Sequence, residues 1–204
     1  MARHYVDLMR GSVPHGRILL GGWSLGGLLA LEMASVLAGD EDFTVIGLVI
    51  VDSICPEAFR APSLLQVVPF KLEWNKNTKE ETRVSVERCF SEATKMVIDY
   101  SLPKWGDDRE RASDDEKVTI SRPPPAILLR AAEAVPSKPG EVCRVDVSRA
   151  DRHLGWDIYR KNLFNQVVDV SGHHYNIFAF EHIDDVSEKL KAACDTLEGS
   201  SSTW

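Results

Sequence analysis

Ser24 has a glycine two residues away on each side, Gly22 and Gly26, in a segment that reads LLGGWSLGGLLALEMA over residues 19–34. A hydroxyl in a Gly-x-Ser-x-Gly turn, after an apolar run and before a leucine-rich one, is set for nucleophilic attack. Such a turn holds the serine at the mouth of a sheet. Glycines let strand and helix approach closely around it. The amides that open the following helix, led by that of Leu25, point where an oxyanion would form. The pattern alone is weak, since a chain of about 200 residues meets it by chance about one time in fifteen. Its place between an apolar strand and an apolar helix is what gives it weight, against the plainer reading of a Gly-Ser turn with a capping serine.

A serine needs a base, and the base needs an acid to orient it, in the chain order Ser, acid, His for this kind of turn. The chain has six histidines. His4 and His15 precede the serine, His153 lies in a turn-rich stretch, and His182 opens the C-terminal helix. His173 and His174 follow the last expected strand, at the sheet edge where Ser24 also lies, and one of these two is the candidate base. For the acid, Asp52 ends the apolar run VIGLVIVD, where an unpaired buried carboxylate would cost several kcal/mol. Glu133, after the third strand, is the rival and sits among alanines.

The elements that must position these groups are legible from hydrophobic pattern. Residues 2–10 suit one or two helical turns. GRILLGG (16–22) and FTVIGLVIVD (43–52) are short apolar runs suited to buried parallel strands. Residues 25–38, apolar nearly all round, suit a helix buried against a sheet. TKEE (78–81) has the spacing of a capping box, with Thr78 and Glu81 satisfying amides at a helix start. Val86, Cys89, Phe90, Ala93, Met96, Val97 and Tyr100 then recur at helical spacing. GDDRERASDDEK (106–117) reads as a solvated, mobile segment. AILLR (126–130) and NQVVDV (165–170) read as the third and fourth strands, with a loop over 142–159 between them. Val186, Leu190, Ala193, Cys194 and Leu197 form the stripe of a closing helix, and GSSSTW is a tail. The order implies an α/β fold with a mostly parallel sheet flanked by helices. The stretch 53–122 is too long for a plain crossover, and is expected to be a helical lid inserted within a single domain over 1–204.

Composition narrows the function. With 31 acidic and 24 basic residues the formal net charge is −7, which disfavours nucleic acid and anionic membranes as partners. No apolar run is long enough to span a bilayer, and the first residues lack a signal-peptide core, so a cytoplasmic protein is expected. The four cysteines have no Cys-x-x-Cys spacing and are read as reduced, mostly buried or half-buried thiols. Neither HExxH nor paired CxxC is present, so no metal site is expected.

The segments LGGWSLGGLLALEMA, VIGLVIVDS and GHHYNIF together resemble the thioesterase domains of polyketide synthases and nonribosomal peptide synthetases, fungal ones in particular. The resemblance runs from about residue 15 to 197. It implies an α/β-hydrolase fold, with Ser24 as nucleophile, Asp52 as acid and His174 as base. His174 is favoured over His173 because Gly172 lies two before it and Tyr175 follows. LGWDIY resembles the family's Gly-Trp-Asp turn, where Trp156 and Asp157 are expected to pack and hydrogen-bond rather than react. The implied activity is hydrolysis or cyclising release of an acyl thioester, in secondary-metabolite biosynthesis. The implied partner is an acyl or peptidyl carrier domain bearing the substrate on phosphopantetheine, with no metal or redox cofactor. Family members begin with further strands, whereas about 15 residues precede the first strand here, so the resemblance also implies a chain shortened at its N-terminus. A free-standing carboxylesterase and a catalytically degenerate docking fragment are the alternatives.

Overall fold

In the computed structural model, residues 1–72, 74–105 and 122–200 are described. Helix α1 (Ala2–Ser12) leads into β1 (Gly16–Trp23), α2 (Leu25–Val36) and β2 (Phe43–Val51). Then come α3 (Pro56–Arg60), β3 (Gln66–Val68) and α4 (Glu80–Asp99), followed by β4 (Ala126–Ala131) and β5 (Glu141–Cys143). Two single 3-10 turns, Arg144–Asp146 and Trp156–Ile158, precede β6 (Phe164–Val170) and α5 (Ile183–Ser200). The main sheet has the order β1-β2-β4-β6, and its three pairings are all parallel.

Successive side chains on a strand face opposite ways, and β2 shows what that does here. Leu48 and Ile50 join Leu28, Leu31 and Ala34 of α2 in one buried cluster. Val49 and Val51 join Val186, Ala193 and Leu197 of α5 in another. The sheet is therefore covered on both faces, which is why β2 and β4 read as continuous apolar runs. α1 closes one end, packing Val6 against Leu37 and Phe43. Its Arg10 pairs with Asp40 and with Asp42, the latter at 3.1 Å, which ties α1 to the turn before β2.

The sequence expectation holds for the four main strands, within one or two residues at their ends. It also holds for the helices after β1 and β6. Three expectations need correction. Thr78 and Glu81 form no capping box, because α4 begins at Glu80 behind Lys79, with no side-chain cap. The Thr78 amide is taken by Asn75 O at 2.9 Å, in a turn whose Asn75 Oδ1 also accepts from Asn77 N. The stretch 142–159 is not all loop, since β5 pairs with β3 in a separate two-stranded parallel sheet. On α4, Val97 is buried and Phe90 and Ala93 are half-buried, but Cys89 and Met96 are exposed. The cysteines are mostly buried or half-buried, as expected, with Cys55 and Cys143 buried, Cys194 half-buried and Cys89 exposed. The charged stretch 106–117 and residues 201–204 of the tail lie outside the described residues. Among the described residues, no helix is long and apolar enough to cross a membrane.

Candidate active site

Parallel register brings the chemical groups to one edge. Trp23, the last residue of β1, lies beside Val51 of β2, and Val51 lies beside Leu129 of β4. Ala131 lies beside Val170, the last residue of β6. Ser24, Asp52 and His174 follow the ends of β1, β2 and β6, so all three emerge at the carboxyl edge of the sheet, where open α/β sheets place their ligands.

The turn at Ser24 is strained. The residue has φ 55° and ψ −122°, a backbone region in which a side chain costs about 1–3 kcal/mol. Its N–H donates to Val51 O at 3.0 Å, and its carbonyl accepts from Ser53 Oγ at 2.6 Å. A Cβ on Gly22 would sit 2.3 Å from the carbonyl carbon of Gly26, so only glycine fits there. Gly26 itself differs from expectation, since a Cβ at that position meets nothing within 4 Å. The second close approach belongs to Gly27, where a Cβ would collide with Ser53 Oγ at 2.1 Å. Leu25 is the first residue of α2, so its amide has no carbonyl within the helix to bond.

Asp52 also has a positive φ, 45°. Its side chain is 0% exposed and carries four hydrogen bonds. Oδ1 accepts from Ala131 N at 2.9 Å and from Arg149 Nη1 at 2.5 Å. Oδ2 accepts from Arg149 Nη2 at 2.8 Å and from His174 Nδ1 at 2.8 Å. Burial alone would push this carboxyl up. The hydrogen bonds and charges of Arg149 and His174 outweigh it and hold Asp52 well below the usual carboxylate range.

His174 is 2% exposed and spans the gap. With the Nδ1 proton given to Asp52, Nε2 is the acceptor, and it lies 3.0 Å from Ser24 Oγ. Trp23 fixes the loop from the other side. Its indole N–H donates to His174 O at 3.2 Å, and the two rings lie 5.0 Å apart. The arrangement can pass the serine proton to the imidazole while the carboxylate holds the ring.

The structure separates the alternatives left open by sequence. His173 is turned into its own loop, where its Nδ1 accepts from Tyr175 N at 3.2 Å and its N–H donates to Asn176 Oδ1. Glu133 is exposed, and its N–H donates to Gly172 O at 3.0 Å. Neither side chain joins the Ser24–His174–Asp52 line. Trp156 packs, as expected, fully buried with its N–H donating to Ser53 O at 2.7 Å. Asp157 lies near His153, 3.0 Å from its Nδ1. Arg149 was missed by sequence reasoning. Its only signal was Asp146 three residues earlier in a turn-rich loop, which is indistinguishable from a surface ion pair.

A cavity of about 270 Å³ opens over Ser24 and His174, lined by Leu25, Phe59, Phe90 and Val97. A second, of about 770 Å³, shares Phe59, Phe90, Val145 and Tyr175 with it and extends to Phe70 and Arg144. Phe70 stacks on Tyr175 at 3.7 Å between ring centres. The walls are mostly apolar and aromatic.

A parallel sheet covered on both faces, with a serine on a strained turn between strand and helix, defines the α/β-hydrolase class. The match to known proteins is finer than that. A family model described as "Thioesterase domain" matches residues 1–194. The chain is 34% identical over 208 residues to thioesterase frbE of Dothideomycetidae sp. (strain 11243), covering 97% of this chain and 73% of that one. It is 30% identical over 219 residues to the nonribosomal peptide synthetase imqB of Aspergillus flavus, covering 98% of this chain and 6% of that one. Among solved structures, the NocB thioesterase domain from the nocardicin cluster superposes with a TM-score of 0.61 at 27% identity. That match covers 96% of this chain and 72% of the other. The chain belongs to the thioesterase-domain family, and one of the relatives it matches, imqB, is a nonribosomal peptide synthetase.

Proposed function

We propose that this protein is a serine-dependent thioesterase that releases an acyl chain from the phosphopantetheine thioester of a carrier domain, by hydrolysis or cyclisation. The observation that carries the reading is the line from buried Asp52 Oδ2 through buried His174 to half-buried Ser24 Oγ, 2.8 and 3.0 Å long. Ser24 Oγ attacks the thioester carbonyl carbon as His174 Nε2 takes its proton. The tetrahedral oxyanion is met by the Leu25 amide. The C–S bond breaks, and the proton on His174 passes to the departing pantetheine sulfur. Water, or a nucleophile within the acyl chain, then attacks the Ser24 ester with His174 again as base, the bond from the acyl carbon to Ser24 Oγ breaks, and His174 returns the proton to Oγ. The steps draw on no metal or redox group.

The mostly apolar walls suit an acyl chain more than a charged substrate. Within the described part of the insertion, α3 and α4 supply Phe59, Phe90 and Val97 to the cavity over Ser24 and serve as its lid. Turnover of an acyl-pantetheine thioester is compared with that of the matching oxygen ester, in the wild type and in Ser24→Ala. A preference for the thioester, with labelling by a fluorophosphonate lost in Ser24→Ala while the circular dichroism spectrum is kept, is expected. Equal or better turnover of the oxygen ester would make the protein a carboxylesterase. Labelling that persists in the variant would place the nucleophile elsewhere.

A further inference from the structure

Arg149 is the most heavily bonded side chain near Ser24, and the steps above do not use it. A guanidinium has five N–H donors, and here each has an acceptor. Nε donates to Asp146 Oδ1 at 2.8 Å. Nη1 donates to Asp52 Oδ1 and to Ala131 O, the latter at 3.0 Å. Nη2 donates to Asp52 Oδ2 at 2.8 Å and more weakly to Val145 O at 3.4 Å. The pair with Asp52 is bidentate, the geometry that only arginine provides.

Arginine's own support is built in. Asp146 is buried, and its Oδ2 accepts from Val135 N at 2.7 Å, so it is held independently of Arg149. The carbonyl of Arg149 accepts from Arg130 Nη1 at 3.2 Å, and Arg130 is in turn paired with Asp169 of β6 at 2.7 Å. The guanidinium is thus held by partners other than Asp52 as well.

We propose that Arg149 is a positioning residue for the Ser24–His174–Asp52 line, gripping both Asp52 oxygens so that one stays aligned with His174 Nδ1. Two features argue that this goes beyond filling a buried site. First, Asp52 must cross from the end of β2 over β4 to reach a histidine that follows β6, and the Ala131 amide alone would fix only one oxygen. Arg149 fixes the second, the one His174 uses. Second, the cation is shared. Asp146 draws on the same guanidinium, so the two carboxylates together carry one more negative charge than Arg149 neutralises. That surplus is available when His174 becomes an imidazolium. An arginine paired with Asp52 alone would cancel it.

This inference rests on the serine-dependent reading, so Ser24→Ala is measured alongside. The groups facing Asp52 are His174 from the loop after β6, Arg149 from the loop after β5, and the Ala131 amide of β4. Asp146 faces it only through Arg149. The experiment measures kcat, KM and the pH profile of kcat for acyl-pantetheine turnover in Arg149→Met and Arg149→Lys. Arg149→Met is expected to lose roughly 100-fold in kcat, the scale of a misplacement of about 1 Å among reacting groups, with KM little changed. Its acid limb should move to higher pH, because the buried Asp52 carboxyl loses the cation that keeps it charged. Arg149→Lys restores the charge without the fork, so its acid limb should stay where the wild type has it while kcat remains reduced. If Arg149→Met does not fold by circular dichroism, the Lys variant decides alone, a lowered kcat with an unmoved limb supporting the proposal and a wild-type kcat overturning it. A folded Arg149→Met with wild-type kcat and limb overturns it. So does a kcat that falls only in proportion to folded protein, with the limb unmoved. Turnover that survives in Ser24→Ala would instead overturn the serine-dependent reading itself.

Discussion

Replacing Asp52 by asparagine changes one oxygen to an amide nitrogen, and the surroundings dictate which. Oδ1 faces two donors, Ala131 N and Arg149 Nη1, so an oxygen must stay there. The new NH2 group is forced to the Oδ2 side, where it meets His174 Nδ1 and Arg149 Nη2. An amide N–H facing Nδ1 makes that nitrogen the acceptor and moves the ring proton to Nε2. Nε2 then points an N–H at Ser24 Oγ, 3.0 Å away, and no longer takes its proton. In hydrolases with the same residue set this tautomer error costs about 10⁴-fold in kcat, or ~5.4 kcal/mol in barrier. The Asp52→Asn variant is therefore expected to lose about that factor in acyl-pantetheine turnover, with the rate of fluorophosphonate labelling falling in step. Glu133→Gln, on an exposed residue, should change neither. The reasoning is refuted if Asp52→Asn stays within about tenfold of wild type or if Glu133→Gln is the more damaged of the two.

Two further outcomes follow from packing and from charge. Gly22→Ala should destabilise the fold by about 1–3 kcal/mol, the usual range for overpacking, because its Cβ would lie 2.3 Å from Gly26. Gly26→Ala should be tolerated, and urea unfolding of the two variants checks the contrast. Asp52 also makes stability depend on pH. Its folded carboxyl lies below the unfolded value of about 3.9, so its contribution is fully present above that pH and is lost as the pH falls further. The gap in unfolding midpoint between wild type and Asp52→Asn should accordingly narrow below about pH 4, and a gap that stays constant down to pH 2.5 (roughly the practical limit for such a titration) would count against the ion pair.

How much of this was legible in sequence depended on whether a local pattern carried the information. Ser24 was readable because a strained strand-to-helix turn needs glycine nearby, and Gly22 supplies it. The strands around the site were readable because a sheet covered on both faces demands unbroken apolar runs, as in residues 45–51. Strands β3 and β5 are three residues each, too short for any periodicity to show. The Thr78–Glu81 spacing misled because a turn at Asn75 claimed the Thr78 amide first, a competition that no capping pattern encodes. Arg149 was invisible for a different reason. Its partner Asp52 is 97 residues away, and nothing near either residue marks the pairing.

The position of the acid explains why so much scaffolding gathers around it. Strand β4 lies between β2 and β6 in the sheet. An acid placed after β4 would stand next to the loop that carries His174 and would need little support. Glu133 lies there, but its contact with that loop is through its backbone. Asp52 instead follows β2, beside the strand that carries Ser24, and its side chain reaches across β4. The end of β4 contributes backbone groups in place of a carboxylate. Leu129 O accepts from Asp52 N at 2.7 Å, Ala131 N donates to Oδ1, and Ala131 O accepts from Arg149. A side chain extended across a neighbouring strand, with its backbone at φ 45°, will hold one rotamer only if both oxygens are fixed. The half-buried guanidinium is the physical counterpart of moving the acid one strand closer to the serine.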